Sequence, residues 1–569
     1  MLAERGEGPF RRWRHAAELG MLTVAVGLAA CSPTPQLPDV GQIYAQVADA
    51  QDPAQRRTLI TVPGLLGSRL IHLQTGTIVW GGGSAGLSAD PDDPVEARLI
   101  ALPILGRNEP LSALRDDVIP AGVLDVATPE ILGIPFDIEV YGGIRRTLTA
   151  GGFQIDPTPS RTALQTVDGG GDVGAQTSDV RRSAPFSLPR YRGFLSDDSN
   201  NFGFDYDWRQ DIAELALDFH RFVLFHKRRL AAQRSLAVGQ PVDPTSVRLD
   251  LLAHSMGALV TRYYIMHGPA PLPEDGTLPP LNWAGAEHFD RVVWVAPPNA
   301  GSIIAFDNLV NGKVFGPLQP FYQPALLATH ASAYQLMPRT RHKRVRWAAS
   351  GGEAVNDIYD PALWDRYGWG LGSPAAEQLL AWLLPEIADP AERRRIAMAH
   401  QARMLRRAEL VHRALDRWGK PPEHLETYLV VGGGFQTAAT GELNRETGAF
   451  AITGVEEGDG VVLRSSVLLD ERAGRDFTAG LQSPLRYDTV LFLPDEHVEL
   501  TKNPVFGDNL LFWLLERPRD VEDLRRPSGG GTLASATQPA GGAGGALAGV
   551  LRGPDTATVD RLAPEPRDR

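Results

Sequence analysis

Cysteine is almost absent from this sequence of 569 residues, which contains a single one, Cys31. One cysteine excludes an intramolecular disulfide framework and any metal site built from several thiolates. Basic residues are outnumbered, because 56 lysines and arginines stand against 68 aspartates and glutamates, for a net charge of −12. Binding to nucleic acid needs a concentrated basic surface, so we expect no nucleic-acid partner.

Long apolar runs are also missing, and the uncharged stretch at residues 19–30 is too short to cross a bilayer. It follows three arginines and ends in Leu-Ala-Ala-Cys, whose last residue is Cys31. A basic segment, a short apolar segment and small residues are typical of an export signal. The last four residues resemble a bacterial lipobox, so we predict a signal peptide over residues 1–30 and a lipidated Cys31. A simple secretory signal with an incidental cysteine is the alternative.

These features predict an exported lipoprotein that is anchored to a membrane of the bacterial cell envelope. Residues 31–57 contain several prolines and would form the tether. We expect one catalytic domain over residues 58–512. Residues 527–569 are rich in glycine and cannot bury enough apolar surface to fold, so we expect a disordered tail there.

Apolar strands alternate with helices inside the predicted domain. Strands are predicted at residues 58–62, 247–253, 291–296, 427–431 and 489–493, and long helices at 211–234 and 256–267. This alternation is typical of an α/β protein with a mostly parallel central sheet. Two regions, about 77–200 and 300–425, interrupt the pattern, and we interpret both as cap or lid insertions.

A serine stands where a predicted strand meets a predicted helix, in the sequence Ala253-His254-Ser255-Met256-Gly257. Such an elbow needs small residues two positions before and after the serine, because the strand and helix backbones pass close together there. The turn lifts the hydroxyl out of the sheet and directs the first helical N–H groups toward a reacting carbonyl. We therefore predict Ser255 as a nucleophile.

A serine nucleophile needs a base and an acid from elsewhere in the chain. In α/β-hydrolases the chain order is serine, then aspartate or glutamate, then histidine. Asp459 lies in a turn between two glycines, and His497 is the only histidine that follows it. The order favours Asp459 as the acid and His497 as the base, while Asp470 and Glu456 remain alternative acids.

Negative charge that develops during acyl transfer needs two backbone donors. The Met256 amide follows the nucleophile directly, and the sequence Pro63-Gly64-Leu65 follows the first predicted strand. We predict the amides of Leu65 and Met256 as the oxyanion donors. The alternative for the first segment is an ordinary Pro-Gly turn.

Four segments together resemble the lecithin:cholesterol acyltransferase-like family of α/β-hydrolases, which includes lysosomal phospholipase A2 and phospholipid:diacylglycerol acyltransferase. They are residues 62–68, 206–209, 253–257 and 458–462, which read Val-Pro-Gly-Leu-Leu-Gly-Ser, Tyr-Asp-Trp-Arg, Ala-His-Ser-Met-Gly and Gly-Asp-Gly-Val-Val. Residues 296–302 look like a looser version of a further family segment. The sequence departs from the family in Ala253, which replaces glycine, and in lacking the cysteines of the animal lid disulfide.

The resemblance implies an α/β-hydrolase fold and acyl transfer from a lipid ester, through an acyl-serine, to an alcohol or to water. The roles that it implies are Ser255 as nucleophile, Asp459 as acid, His497 as base, Leu65 and Met256 as oxyanion donors, and Asp207 with Arg209 as a structural ion pair. No metal or cofactor is implied. An esterase or lipase for other esters, or a catalytically silent envelope lipoprotein, are the alternatives.

A basic amphipathic helix is predicted at residues 390–418. Such a helix can lie on an anionic membrane, but more often it packs its apolar stripe on the core and solvates its arginines. The second interpretation is favoured.

Overall fold

A parallel sheet of seven strands forms the centre of the computed structural model. The strands are β1 Leu59–Val62, β2 Ile155–Asp156, β3 Asn201–Gly203, β4 Leu249–His254, β5 Phe289–Val295, β6 Glu426–Gly432 and β7 Thr489–Leu493. Their spatial order is β7-β6-β5-β4-β1-β3-β2, and every adjacent pair is parallel. All six residues of β4 are buried, as expected for a middle strand that is covered on both faces.

The structure describes residues 44, 46, 57–82, 89–106, 109–127, 130–131, 134–135, 138–156, 159–160, 199–314, 320–348, 352–475 and 478–516. The predicted signal peptide, Cys31, most of the predicted tether and the predicted tail lie outside these residues. Within them, no helix is both long and apolar enough to span a membrane.

Helices connect and cover the strands. From residue 57 onward they are α1 Pro94–Ile100, α2 Gly142–Ala150, α3 Ile212–Val238, α4 Met256–His267, α5 Ile303–Asn311, α6 Pro324–Leu327, α7 Ala331–Gln335, α8 Pro361–Tyr367, α9 Glu377–Leu383, α10 Pro390–Leu415, α11 Arg464–Val467 and α12 Pro504–Leu511. The two longest helices begin at aspartate caps, Asp211 and Asp389, whose side chains accept hydrogen bonds from amides of the first turn.

Alternate residues of the strands point to opposite faces of the sheet and pack in two separate clusters. Leu59 and Leu252 belong to the cluster that includes residues of α2 and α12. Ile60 and Leu251 belong to the cluster that includes residues of α3, α4 and α10. Helices therefore cover both faces of the parallel sheet. Together with the elbow described below, this arrangement is the α/β-hydrolase fold that the sequence predicts.

Smaller antiparallel elements surround the sheet. One sheet consists of Ile78–Trp80, Ser68–His72 and Val118–Val123, and another of Val345–Trp347, Phe435–Leu443 and Phe450–Gly458, whose first pair is parallel. Two-stranded pairs join Lys313–Val314 to Phe321–Tyr322, Val126–Ala127 to Ile138–Glu139, and Glu130–Ile131 to Ile134–Pro135. The long hairpin of Phe435–Leu443 and Phe450–Gly458 ends directly before Asp459.

The region from about 77 to 200, which we interpreted as a cap or lid, also contributes to the core. Strand β2 extends the central sheet at its edge, where Asn201 pairs with Ile155. Helix α2 buries Ile144 and Leu148 in the cluster on one face of that sheet. The strand has two residues, which is too short for an alternation pattern to reveal it.

Helix α10 packs its apolar stripe on the core. Ala397, Met404 and Val411 are buried, whereas Trp418 lies beyond the end of the helix and is 68% exposed. Arg407 is also buried and forms an ion pair with Asp211. These contacts agree with the core-packing interpretation of this basic helix; contact with a membrane stays untested.

Candidate active site

Ser255 occupies the sharp turn between β4 and α4. Its backbone has φ +52 and ψ −123, a conformation that residues other than glycine rarely adopt. The Ser255 amide donates a hydrogen bond of 2.8 Å to the Val295 carbonyl of the neighbouring strand β5, which holds the turn in place. The strain is typical of a nucleophile elbow, which projects the hydroxyl beyond the sheet.

Space around the elbow explains the small residues on either side of the serine. A Cβ added to Gly257 would lie 2.2 Å from the Pro63 carbonyl oxygen, so the helix backbone touches the loop after β1. Ala253 has 0% exposure and belongs to the main buried cluster. The methyl group that replaces the family's usual glycine is therefore accommodated in the core.

The structure brings the predicted nucleophile, base and acid together. His497 Nε2 lies 2.9 Å from Ser255 Oγ, and His497 Nδ1 lies 2.8 Å from Asp459 Oδ2. Because a carboxylate only accepts hydrogen bonds, Nδ1 carries the proton and donates a hydrogen bond to Asp459. Nε2 is then free to accept a hydrogen bond from the serine hydroxyl. This is the arrangement that a serine nucleophile and its base require.

Asp459 is fixed by backbone groups as well as by His497. Its Oδ1 accepts hydrogen bonds from the amides of Val461 (3.0 Å) and Val462 (2.7 Å), and its own carbonyl accepts from the His497 amide at 2.9 Å. Burial by itself raises the pKa of Asp459, but His497 and these hydrogen bonds outweigh it and hold the pKa below its usual value. The acid is therefore ionised at neutral pH.

The alternative acids are engaged elsewhere. Asp470 forms an ion pair with Arg472 at 2.7 Å, and Glu456 forms one with Arg344 at 2.6 Å. Neither is among the hydrogen-bond partners of His497 in the described part of the chain. Asp459 is the carboxylate that contacts the base.

The predicted oxyanion donors flank the serine. A Cβ on Gly64 would lie 2.8 Å from Ser255 Cβ, so the loop that carries Leu65 lies against the nucleophile. Met256 is the first residue of α4. Within the described residues, neither the Leu65 nor the Met256 amide donates to a protein acceptor, so both are available to a ligand.

The Tyr-Asp-Trp-Arg segment lies next to the site and contains the predicted ion pair. Arg209 has 0% exposure, and its Nη2 lies 2.8 Å from Asp207 and 2.9 Å from Asp116. Its Nη1 donates to the Leu99 carbonyl near the end of α1. Arg209 therefore joins the inserted region to the core, which agrees with a structural role.

Residues 296–302 support the loop that follows Asp459. Ser302 Oγ donates to the Val461 carbonyl at 2.9 Å, and Asn299 Nδ2 donates to the Val467 carbonyl at 2.6 Å. Residues 296–302, which follow β5, therefore hold the loop after Asp459 in place.

An apolar cleft adjoins the oxyanion loop. Its lining includes Leu65, Leu66, Leu70, Val79, Trp80, Ile100, Trp208, Ala305, Leu309, Tyr322, Leu327, Ala333 and Leu336. Three apolar side chains near these groups are partly exposed. Leu65 of the oxyanion loop is 37% exposed, Val461 after Asp459 is 42% exposed, and Val498 after His497 is 37% exposed. The chemistry-bearing groups are thus bordered by apolar surface.

Two contributors to the site escaped the sequence analysis. The hairpin that leads to Asp459 has alternating residues and an Asn444-to-Gly448 turn, which could have revealed it. Tyr141, whose hydroxyl contacts the Gly64 amide and His254, gave no sequence signal because its region lacks periodicity. No group of side chains in the described ranges forms a metal site.

The strand order and the elbow define the α/β-hydrolase fold, and the structure places Ser255, His497 and Asp459 in hydrogen-bond contact at the elbow. Residues 194–361 match the family model described as lecithin:cholesterol acyltransferase, the family that the sequence resembles. The match contains Ser255 and the Tyr-Asp-Trp-Arg segment and ends before Asp459 and His497. No curated protein matches the chain.

Solved structures show more distant likenesses. The Tle4-Tli4 complex contains a chain with 15% identity and a TM-score of 0.42, covering 81% of this chain and 100% of that chain. The Bacillus licheniformis lipase BlEst2 in propeptide form has 10% identity and a TM-score of 0.25, covering 57% and 44%. Lipase 1 from Pelosinus fermentans has 12% identity and a TM-score of 0.21, covering 49% and 74%.

Proposed function

We propose that the protein is a serine-dependent acyl hydrolase or acyltransferase that acts on lipid esters through an acyl-serine intermediate. The observation that carries this proposal is the His497 ring, which contacts both Ser255 Oγ and Asp459 Oδ2 at hydrogen-bond distance. The family match over residues 194–361 supports the reaction class.

In the first half-reaction, Ser255 Oγ attacks the ester carbonyl while its proton moves to His497 Nε2. Asp459 stabilises the resulting imidazolium and keeps the ring in the required tautomer. The amides of Leu65 and Met256 bind the oxyanion. Collapse of the tetrahedral intermediate breaks the bond to the alcohol, which leaves with the proton from His497, and forms the acyl-serine.

In the second half-reaction, water or an alcohol attacks the acyl-serine. His497 Nε2 removes the proton of the attacking hydroxyl and then returns it to Ser255 Oγ as the bond to the acyl group breaks. Water yields a free fatty acid, and an alcohol yields a new ester. The two outcomes use the same residues and differ only in which molecule reaches the site.

Two features support a lipid ester rather than a small polar one. The cleft beside Leu65 offers apolar surface that part of an acyl chain could contact. The exposed apolar side chains Leu65, Val461 and Val498 border the site, where contact with a lipid surface would bury them. Lipidation of Cys31, predicted from the sequence, would hold the enzyme where such substrates are found.

The serine assignment is tested by labelling with a fluorophosphonate probe. We expect Ser255→Ala to abolish labelling while its thermal unfolding midpoint stays close to that of the wild type. Ser246→Ala, which changes an exposed serine outside the site, is the matched control and should label fully. Full labelling of Ser255→Ala would contradict the proposal.

The substrate class is tested by lipid mass spectrometry. Purified protein is incubated with phospholipid vesicles, with and without a sterol or diacylglycerol, beside the Ser255→Ala variant. Free fatty acid alone indicates a hydrolase, and a new ester indicates a transferase. If neither product forms while a p-nitrophenyl ester is turned over, the result would contradict the lipid assignment and favour an esterase for other esters.

Membrane anchoring is tested separately. Expression of the full chain and of Cys31→Ser in a bacterial host, followed by membrane fractionation, should place the wild type in the membrane fraction and the variant in the soluble exported fraction. Equal distribution of the two proteins would exclude lipidation of Cys31.

A further inference from the structure

A chain of buried hydrogen bonds lies behind the catalytic residues and connects the oxyanion loop with the base. The Gly64 amide donates to Tyr141 Oη at 2.7 Å, and Tyr141 Oη lies 2.8 Å from His254 Nδ1. On the other side of the same imidazole, His254 Nε2 lies 3.1 Å from the backbone carbonyl of His497. The mechanism described above uses neither Tyr141 nor His254.

The direction of each hydrogen bond follows from its partners. The His497 carbonyl can only accept, so His254 Nε2 carries the proton and Nδ1 is an acceptor. Tyr141 then donates its hydroxyl proton to Nδ1 while its oxygen accepts from the Gly64 amide. Each donor has one acceptor, and the chain runs in one direction from the loop after β1 to the backbone of the base.

Burial and packing fix these two side chains. Tyr141 is 7% and His254 is 5% exposed. The His254 ring packs against the His497 ring with 4.8 Å between centroids and against Tyr141 with 5.7 Å. Burial lowers the pKa of His254 to about 3, so the ring stays neutral and keeps its acceptor at ordinary pH.

We propose that Tyr141 and His254 are positioning residues that set the oxyanion loop and the catalytic base relative to Ser255. This inference rests on the proposed function. Gly64 directly precedes Leu65, the predicted oxyanion donor, so the hydroxyl of Tyr141 fixes the amide next to it. His254 directly precedes Ser255, so one residue of the elbow contacts both the oxyanion loop, through Tyr141, and the base.

Close packing makes the position of this loop sensitive to Tyr141. A Cβ on Gly64 would lie 2.8 Å from Ser255 Cβ, 3.2 Å from His254 Nδ1 and 3.3 Å from Tyr141 Oη. The loop, the nucleophile and both positioning residues therefore meet at one point. Loss of the hydroxyl frees the Gly64 amide and allows the neighbouring donor to move away from the developing oxyanion.

The first test is Tyr141→Phe, which keeps the ring and removes the hydroxyl. Because loss of a whole oxyanion donor costs 10²- to 10³-fold, we expect displacement of one to lower kcat for p-nitrophenyl butyrate about 10-fold, with KM nearly unchanged. The rate of fluorophosphonate labelling should fall by a similar factor, since that reaction uses the same serine and donors.

Tyr359→Phe is the matched control. Tyr359 is 2% exposed and its hydroxyl donates to the Pro338 carbonyl at 3.1 Å, so the variant also loses one buried tyrosine hydrogen bond. Thermal unfolding midpoints of both variants are measured. We expect Tyr359→Phe to keep the wild-type kcat. If its kcat falls as much as that of Tyr141→Phe, general destabilisation explains the loss in both variants and the inference is overturned.

The second test is His254→Gln, alone and combined with Tyr141→Phe. Gln lacks the acceptor at the position of Nδ1, so both single substitutions break the same hydrogen bond. We expect similar losses of kcat and a double variant no slower than the slower single one, because the two residues act as one unit. Multiplying losses would contradict a single connected chain.

The failure of this inference differs from failure of the proposed function. Wild-type kcat and labelling in both Tyr141→Phe and His254→Gln, with labelling abolished in Ser255→Ala, would overturn the positioning role and leave the serine mechanism intact. Full labelling of Ser255→Ala would instead overturn the proposed function itself. If Tyr141→Phe does not fold, the kcat and labelling of His254→Gln are compared with those of Tyr359→Phe instead.

Discussion

The nucleophile and the acid–base pair reach the site from two regions that are built differently. On the nucleophile side, β4, Ser255 and α4 are consecutive in sequence, and every residue of α4 is buried. On the other side, Asp459 follows a hairpin that belongs to a separate three-stranded sheet, and His497 follows β7. Their loops meet through the ring contact and through the hydrogen bond from the His497 amide to the Asp459 carbonyl.

The difference concerns what each region tolerates. The elbow is limited by space, because a Cβ on Gly257 would overlap the Pro63 carbonyl. At Gly460 the acid loop is limited instead by backbone conformation, and Asp459 is held by single hydrogen bonds. Gly460 has φ +87, yet no atom lies within 4 Å of the Cβ it lacks. Added volume should therefore damage the elbow at Gly257 more than the turn at Gly460, whereas lost hydrogen bonds should damage the position of Asp459.

Asp459→Asn should give the largest effect on the acid–base side. Asn can still accept from the Val461 and Val462 amides, but it favours the wrong tautomer of His497. Loss of the carboxylate in such triads lowers kcat about 10⁴-fold, and we expect a loss of that order. The measurement is kcat for a p-nitrophenyl ester, with Glu456→Gln as control. Activity within a few-fold of wild type would show that another acid serves His497.

Gly257→Ala and Gly460→Ala contrast the two regions directly. Gly257→Ala should lower the unfolding free energy by about 3 kcal/mol, because the elbow must open to admit the methyl group. The variant should also no longer be labelled by the fluorophosphonate. The second places alanine at a positive φ in open space and should cost only about 1 kcal/mol. Chemical denaturation measures both. Equal destabilisation would contradict the distinction between space and conformation.

The sequence was most informative on the nucleophile side. The strand before Ser255 was predicted to within two residues, because a buried parallel strand is a continuous apolar run. On the acid–base side, β7 was also predicted with its observed bounds. The elbow is local, so its serine can be recognised from neighbouring residues alone. For Asp459 and His497 only chain order was available, and their contact depends on where β6, β7 and the hairpin end.

Long-range contacts could not be predicted. Nothing near Tyr141 in the sequence indicates that its hydroxyl reaches Gly64, 77 residues earlier, or His254, 113 residues later. The same holds for the contact of Arg209 with Asp116, which required the folded insertion. Side chains that act across the fold without a local motif are visible only in three dimensions.

A pH titration of stability separates the two regions. The pKa of His254 is lowered to about 3, so the folded state binds fewer protons than the unfolded state between pH 3 and pH 6.5. Stability from this residue is complete above pH 6.5 and decreases below it, by about 2 kcal/mol at pH 5. Asp459, whose pKa is also lowered, contributes stability above its unfolded value and loses it only at lower pH.

Lowering the pH from 7 to 5 should therefore reduce the unfolding free energy of the wild type by about 2 kcal/mol more than that of His254→Gln. The titration of the Asp459 carboxylate itself should affect stability only below about pH 4, so Asp459→Asn tests the acid part of the curve. Urea denaturation at several pH values gives both curves. Parallel curves for wild type and His254→Gln would mean that the histidine does not stay neutral in the folded protein.

Ser302→Ala should give the smallest effect and tests the support of the acid loop. The Ser302 hydroxyl donates to the Val461 carbonyl and accepts from the Ile304 amide as the cap of α5. Loss of both bonds should cost about 1 kcal/mol. If the acid loop depends on this contact, kcat falls a few-fold in Ser302→Ala. Ser302→Thr retains the hydroxyl and should keep the wild-type kcat and unfolding free energy. Unchanged kcat in a destabilised Ser302→Ala would show that the Val461 and Val462 amides alone hold Asp459 in place.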